Sequence, residues 1–225
     1  MYPGCEAMDN IIIKPTREAS ACVIWLHGLG ADGSDFAQIV PQLCIPDQYA
    51  IKFIFPHAPI RAVTINGGFK QRAWFDIASA DRAGLQADRV GLETSSARIQ
   101  AMIDTEIQEG IARDRIVLVG FSQGGAVVLH AALTVGKSLG GAMGLSTYLP
   151  MWVGAQSSYT PIFLAHGKYD PLLPYQLGLE TRERLVAAGC LVDWYEYPMV
   201  HTVCAEEIHD IAAWLLQRFK KKGGE

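Results

Sequence analysis

Short apolar runs separated by helical patterns constrain the fold of this chain more than any other feature. Most runs are apolar at every position and rich in β-branched and aromatic residues, as expected for strands buried on both faces of a parallel sheet. They cover residues 21–26, 51–55, 115–120, 140–145, 161–165 and 191–195. Helical patterns cover residues 33–43, 88–109, 123–135, 175–188 and 203–219. The alternation predicts right-handed crossovers and an α/β three-layer sandwich, with a mostly parallel central sheet flanked by helices.

The chain of 225 residues shows no repeat, low-complexity segment or charged linker, which predicts a single domain over residues 10–220. Residues 1–9 are predicted to be a flexible N-terminal extension and residues 221–225 a C-terminal tail. Residues 56–87 show no convincing regular element but contain several aromatic side chains. We expect this segment either to pack on its own side chains or to wall the substrate site. No insertion large enough for a cap domain interrupts the strands.

Composition excludes several classes of function. The net charge of −4 leaves no basic surface for nucleic acid. No apolar run approaches the roughly 20 residues that an integral membrane segment needs. The start of the chain lacks the basic and apolar regions of a signal peptide. The five cysteines are dispersed and have no metal-ligand spacing with histidine. We therefore expect a cytoplasmic protein with reduced thiols and no structural metal.

Residues 120–125 read Gly-Phe-Ser-Gln-Gly-Gly and have the form G-x-S-x-G between a predicted strand and a predicted helix. This context is that of a nucleophile elbow, in which a sharp turn exposes the serine Oγ. The helix N-terminus adds partial positive charge near a developing anion. The structural alternative is a glycine-rich turn with an incidental serine. The context favours Ser122 as a nucleophile.

A serine hydroxyl needs a base to remove its proton, and in this kind of fold the acid and then the histidine follow the serine. His201 lies in a short loop after the strand at 191–195, at the edge where sites form in open α/β sheets. His130 and His209 lie inside predicted helices, and His166 ends a strand. His201 is therefore the best candidate for the base.

Asp170 is the candidate acid because it follows the strand at 161–165, one strand before His201 and at the same edge. Asp193 lies within a predicted strand and Asp210 within a predicted helix. Asp170 would bind the Nδ1–H group of His201 and stabilise the imidazolium. Its structural alternative is an aspartate that caps the turn before Pro171.

An oxyanion hole requires two backbone N–H groups aimed at the developing negative oxygen. The residue after the nucleophile, Gln123, supplies one. The second is expected from Leu29, in the sequence His-Gly-Leu-Gly at residues 27–30 after the first long strand. The glycines allow this loop a close backbone approach. His27 is interpreted as a structural residue of the loop rather than as a base.

These residues resemble those of the phospholipase/carboxylesterase family of α/β-hydrolases, which includes the eukaryotic acyl-protein thioesterases. The resemblance runs from about residue 12 to residue 219. It is strongest at residues 23–30, 55–59, 64–68, 74–77, 120–125, 166–170 and 197–201. Within the family, the chain looks like a bacterial carboxylesterase.

The resemblance implies a Ser122, His201 and Asp170 triad with oxyanion amides at Leu29 and Gln123. It places Trp74 and Leu173 near the acyl chain of the substrate. It implies no cofactor and no metal, and it is compatible with a homodimer. The chain departs from the family pattern at residue 200, where bacterial relatives usually carry glycine and this chain carries valine.

The expected function is that of a serine carboxylesterase acting on small-molecule or lipid esters of short to medium acyl chains, through an acyl-enzyme. The alternatives are a lysophospholipase or an acyl-protein thioesterase, since an open site without a cap suits either. A more remote alternative is a non-catalytic binder with the same fold. Such relatives usually lack a triad residue, and this chain has all three.

Overall fold

The computed structural model describes residues 10–86, 88–151 and 160–220. The predicted N-terminal extension at 1–9 and the C-terminal tail at 221–225 lie outside the described residues. No helix in the described ranges is long and apolar enough to cross a membrane.

A seven-stranded sheet forms the centre of the part of the chain that the structure describes. Its order is β1-β3-β2-β6-β7-β8-β9, and only β1 runs antiparallel to its neighbour. A separate antiparallel hairpin pairs β4 with β5. The strands are β1 (Ile11–Ile13), β2 (Ala21–Leu26), β3 (Ile51–Phe55), β4 (Ile60–Val63), β5 (Phe69–Arg72), β6 (Ile116–Phe121), β7 (Gly141–Leu145), β8 (Ile162–Gly167) and β9 (Val192–Tyr197). The predicted α/β sandwich with a mostly parallel sheet is confirmed.

The described residues form six α-helices, and the four longest lie where the sequence predicts helices. The six are α1 (Ser34–Ala37), α2 (Arg82–Leu85), α3 (Arg89–Gln108), α4 (Gln123–Thr134), α5 (Tyr175–Ala187) and α6 (Ala205–Phe219). Short 3-10 helices occur at Val40–Leu43, Asp47–Tyr49, Thr64–Asn66 and Arg113–Arg115. The single helix predicted at 33–43 is wrong, because it divides into α1 and a 3-10 turn. Pro41 lies at the start of that turn and lacks the N–H group that a continuous α-helix would use.

Alternate residues of β2 enter two different apolar layers. Ile24 and Leu26 pack with the residues of α3 and α4, whereas Val23 and Trp25 pack with those of α1 and α6. All four are fully buried. Burial of such a side chain stabilises the fold by about 1.5–3 kcal/mol. The sheet therefore separates two cores, which we call the α4 layer and the α6 layer.

The segment at 56–87, predicted without regular elements, contains the β4–β5 hairpin, a 3-10 turn and α2. The prediction that this segment contains no regular secondary structure is therefore wrong. The hairpin strands are short and mostly exposed, so they lack the apolar signal of the central strands. Gly67 and Gly68 form the turn with φ of 65° and 79°, a conformation that glycine adopts readily. The Asn-Gly-Gly sequence was the available signal for this hairpin.

Candidate active site

Ser122 forms the strained turn between β6 and α4. Its φ of 53° and ψ of −119° lie outside the ordinary regions for L-residues. A Cβ added to Gly120 would lie 2.4 Å from the carbonyl carbon of Gly124. The Ser122 N–H donates to the Leu145 carbonyl at 2.9 Å, and the Thr147 hydroxyl donates to the Ser122 carbonyl at 2.7 Å. The turn is therefore fixed by close packing and by bonds to the segment after β7.

Three predicted site residues from three separate loops meet at the carboxyl edge of the sheet. The Ser122 Oγ lies 2.9 Å from Nε2 of His201. Nδ1 of the same ring lies 2.6 Å from Oδ2 of Asp170. These distances allow the hydroxyl to donate to Nε2 while Nδ1–H donates to the carboxylate. The arrangement can transfer a proton from the serine to the imidazole and stabilise the resulting cation.

The Asp170 carboxylate is held by the backbone as well as by His201. Its Oδ1 accepts hydrogen bonds from the N–H groups of Leu172 and Leu173, both at 2.9 Å. Burial opposes ionisation of this group, but the hydrogen bonds from His201 and from the two amides hold its pKa below the usual value. Asp170 is therefore ionised at neutral pH and rigidly oriented.

His166, the strand-end histidine, lies behind the acid rather than beside the serine. Its Nε2–H donates to the Leu173 carbonyl at 2.8 Å, and Nε2 is 3.7 Å from Oδ2 of Asp170. Burial lowers the pKa of His166, so the ring is neutral. His166 thus supports the turn that holds Asp170. The sequence offered no signal for this role, because a hydrogen bond to a backbone carbonyl requires only a nearby donor.

Three other candidate acids and bases have structural partners elsewhere. His130 lies buried in α4 with Nδ1 2.7 Å from the Ser96 hydroxyl. Asp193 accepts a hydrogen bond from the indole of Trp214, and Asp210 accepts one from the Tyr197 hydroxyl, both at 2.7 Å.

The loop after β2 lies directly against the nucleophile. A Cβ added to Gly28 would lie 3.5 Å from Cβ of Ser122. His27 fixes the loop, since its Nε2 accepts the Ala58 N–H at 3.0 Å and its Nδ1 lies 2.7 Å from the Gly28 carbonyl. Burial lowers the pKa of His27 to about 4, so the ring is neutral. Leu29 lies in this loop.

The Gln123 side chain joins the elbow to the segment after β5. Its Oε1 accepts the Trp74 N–H at 2.9 Å, and its Nε2 donates to the Phe75 carbonyl at 2.7 Å. The Trp74 indole in turn donates to the His27 carbonyl at 2.8 Å. The sequence does not predict this bridge, because the elbow motif assigns a role only to the backbone of Gln123.

An open groove of about 380 Å³ begins at Ser122 and His201, two of the three assembled side chains. Leu29 and Gln123 line it beside Ser122 and His201, and Leu173 lines it as well. Apolar residues form much of the remaining lining, namely Ala31, Ile65, Ile77, Ala80, Leu85, Phe121, Tyr148 and Leu172. Trp74, expected near the acyl chain, is fully buried beneath the His27 loop and is not among the lining residues. Its indole stabilises the loop instead of contacting the groove.

Val200 adopts no positive φ, so the expected glycine is not needed there for its conformation. The Tyr169 N–H donates to the Met199 carbonyl at 3.1 Å and ties this loop to the loop after β8. His201 is therefore fixed next to Asp170 despite the valine. No cluster of three His, Cys, Asp or Glu side chains that could hold a metal occurs in the described parts of the chain.

Comparison with known families decides the classification. A family model described as phospholipase/carboxylesterase matches residues 7–217. The chain belongs to this family. The nucleophile elbow, the order of the candidate triad and the parallel sheet are thus features of a hydrolase family with an α/β-hydrolase fold.

Several similar proteins are named acyl-protein thioesterase. The chain is 38% identical to acyl-protein thioesterase 1 of Neurospora crassa, over 94% of this chain and 92% of that protein. It is also 38% identical to acyl-protein thioesterase 1 of Mycosarcoma maydis, over 93% and 97%. The crystal structure of Arabidopsis thaliana SOBER1 is 30% identical with a TM-score of 0.83, over 89% and 99%. That of Zea mays acyl-protein thioesterase 2 is 28% identical with a TM-score of 0.80, over 93% and 98%.

These relatives correct one expectation from the sequence. The family is confirmed, but the bacterial carboxylesterase branch is not supported, because the similar proteins named above are fungal and plant proteins. The acyl-protein thioesterase that was an alternative becomes the better-supported comparison.

Proposed function

We propose that this protein is a serine hydrolase that cleaves the thioester between an acyl chain and a peptide thiol. The 2.9 Å contact between the Ser122 Oγ and Nε2 of His201 is the observation that supports nucleophilic catalysis by serine. The resemblance to acyl-protein thioesterases supports the substrate class. The apolar groove that opens beside Ser122 supports an acyl chain as the bound group.

In the first step the Ser122 Oγ attacks the carbonyl carbon of the thioester while Nε2 of His201 accepts the hydroxyl proton. The carbonyl oxygen becomes negative and is bound by the N–H groups of Leu29 and Gln123. The C–S bond then breaks, and the imidazolium returns its proton to the leaving sulfur. Asp170 stabilises the imidazolium between these transfers.

In the second step a water molecule hydrolyses the acyl-enzyme. His201 accepts a proton from the water as its oxygen attacks the acyl carbon, and the same ring then protonates the Ser122 Oγ. The products are the free fatty acid and the regenerated serine. The same groups hydrolyse oxygen esters, so a lysophospholipase activity uses the identical chemistry with an alcohol as the leaving group.

The Ser122→Ala variant provides the direct test of the nucleophile. It is expected to lower kcat by roughly 10⁴–10⁶ for every acyl substrate, because the attacking oxygen is removed. Labelling with a fluorophosphonate probe, read by intact mass, should give one adduct on the wild type and none on the variant. Retention of a tenth of the wild-type activity would contradict the assignment of Ser122.

The substrate class is tested by comparing kcat/KM for three compounds that carry the same acyl chain. These are a cysteine-linked thioester peptide, the matching serine-linked ester peptide and a lysophosphatidylcholine. The proposal predicts the highest value for the thioester peptide. A clear preference for lysophosphatidylcholine would replace the thioesterase assignment with that of a lysophospholipase and leave the roles of the triad unchanged.

A further inference from the structure

The position of His201 identifies the side of the groove that receives the leaving group. In the proposed reaction Nε2 of His201 protonates the leaving sulfur, so the peptide must depart along the surface next to this ring. The Phe121 ring packs against His201 with centroids 4.8 Å apart, and the Phe36 ring packs against Phe121 at 5.5 Å. The path of the leaving group therefore leads from His201 past Phe121 towards the first turn of α1.

The acyl chain belongs at the other end of the groove. Ile77, Leu85 and Tyr148 line that end and are packed into the α4 layer. Phe36 and Phe121 belong to the α6 layer on the opposite side of the sheet. The two ends of the groove are thus built from separate cores and differ in chemistry, since the acyl end is apolar and buried.

Asp35 lies at the leaving-group end. It directly precedes Phe36 in α1, and its exposed side chain lines the groove. Among the described residues that line the groove, it is the only Asp, Glu, Lys or Arg. Asp32, in the preceding turn, is a second carboxylate whose pKa is lowered by hydrogen bonds from Ser34, but it does not line the groove. The departing peptide therefore passes the carboxylate of Asp35.

We propose that Asp35 selects the leaving group by charge and favours acylated thiols flanked by lysine or arginine over those flanked by acidic residues. This inference rests on the proposed thioesterase function, because it concerns the peptide that carries the thiol. The physical cause is Coulomb attraction at the mouth of the groove, where solvent weakens the interaction without abolishing it. Rates with charged peptides should therefore depend on salt.

The test uses three soluble peptides with the same acyl-cysteine thioester, flanked by lysines, by glutamates or by neutral residues. At low ionic strength the wild-type kcat/KM should be about three- to tenfold higher for the lysine peptide than for the glutamate peptide. The Asp35→Asn variant should bring this ratio close to one, and Asp35→Lys should reverse it. At high salt the wild-type ratio should shrink towards one.

Glu18→Gln is the matched control, since it removes the same charge from an exposed residue just before β2, at the opposite edge of the sheet. It should keep the wild-type ratio. The neutral peptide should react equally with wild type, Asp35→Asn and Glu18→Gln, which shows that folding and the triad are intact. An unchanged ratio in Asp35→Asn, or an equal loss for all three peptides, would overturn the role of Asp35.

Serine-linked ester versions of the same peptides separate this inference from the proposed function. If only the oxygen esters are hydrolysed and their charge preference depends on Asp35, the thioesterase assignment fails and the role of Asp35 stands. If the thioesters are hydrolysed without any charge preference, the proposed function stands and the role of Asp35 fails.

Discussion

At the scale of single residues, the backbone of Ser122 couples reactivity to strain. A φ of 53° with a ψ of −119° costs an L-residue about 1–3 kcal/mol, and the bonds to Leu145 and Thr147 hold it in place. The strain exposes the hydroxyl to His201 and to the groove. The surrounding packing therefore stabilises a conformation that the serine alone would avoid.

This strain predicts that two inactive variants differ in stability. Ser122→Gly should be more stable than Ser122→Ala by about 1 kcal/mol, because glycine adopts positive φ without a Cβ penalty whereas alanine keeps the strain. Urea unfolding measures the difference as a shift in the midpoint urea concentration, with the same dependence of the free energy of unfolding on urea for both variants.

The exposed Ser138, which has no positive φ, provides the control. There the order should reverse, with Ser138→Gly less stable than Ser138→Ala. An Ala variant at least as stable as the Gly variant at position 122 would show that the turn stores no strain.

The candidate triad was predictable from the sequence because each member follows a strand and the chain order of the three is characteristic of the fold. Ser122, Asp170 and His201 are the residues that the structure brings within hydrogen-bond distance. Trp74 was not predictable in the same way. Its indole could either line a groove or donate a hydrogen bond to a loop carbonyl, and only the three-dimensional packing distinguishes the two.

At the scale of elements, the approach of α4 to the end of β2 determines where the elbow lies. A Cβ added to Gly124 would lie 2.6 Å from the His27 carbonyl oxygen and 2.7 Å from that of Leu26. No flexible side chain tip can absorb this contact, because both atoms belong to the backbone. The helix can therefore approach the loop only with glycine at this position.

We expect Gly124→Ala to move the N-terminus of α4 away from β2, and with it the Gln123 amide. The variant should lose about 1–3 kcal/mol of stability and roughly tenfold or more in kcat, because the proposed oxyanion donor Gln123 is displaced. Urea unfolding and single-turnover kinetics measure the two effects.

Gly140→Ala controls for destabilisation alone. Its Cβ would lie 2.6 Å from the Asp114 carbonyl oxygen, at the amino end of β7 and far from the catalytic edge. It should lose similar stability but keep the wild-type kcat of the folded protein. An unchanged kcat in Gly124→Ala would show that the elbow position does not depend on this contact.

The central strands were predictable within two residues because burial on both faces produces continuous apolar runs. The hairpin was not, since Ile60 and Phe69 are exposed and its side chains carry no alternating pattern. The edge strand β1 was missed for a related reason. A strand of three residues is too short to show a periodic pattern in the sequence. Only its pairing with β3 defines β1 as a strand.

At the scale of the whole molecule, two buried groups change the free energy of unfolding with pH in opposite directions. The folded His27 has a pKa of about 4, below its unfolded value of about 6.5, so stability falls as pH decreases through that interval. Burial raises the pKa of Glu207 to about 8, above its unfolded value, so its contribution to stability falls as pH rises towards 8. The two effects oppose each other between about pH 4.5 and 6.5.

Glu207→Gln should remove only the second effect. Relative to the wild type, the free energy of unfolding of this variant should rise between pH 5 and pH 8, on the order of 1.4 kcal/mol for each unit of pKa shift. The reason is that the wild type must bury a carboxyl that the unfolded chain ionises freely. Urea unfolding at pH 5.0, 6.5 and 8.0 measures the change.

The neighbouring Glu206 is exposed, and Glu206→Gln removes the same charge from the same turn of α6. The difference in the free energy of unfolding between Glu206→Gln and the wild type should stay nearly constant between pH 5 and pH 8. A pH-independent difference for Glu207→Gln would contradict the raised pKa.

Under the proposed function, the turn after β8 limits how this protein can evolve a new acyl-chain preference. Leu173 lines the groove with its side chain, donates its amide to Asp170 and offers its carbonyl to His166. A change of pocket shape at this residue therefore also risks the orientation of the candidate acid, Asp170. Ile77 and Leu85 line the groove from the segment between β5 and α3, away from the turn that holds Asp170. Adaptation to longer or shorter chains should accumulate at such distant positions, leaving residues 170–173 invariant among variants that remain active.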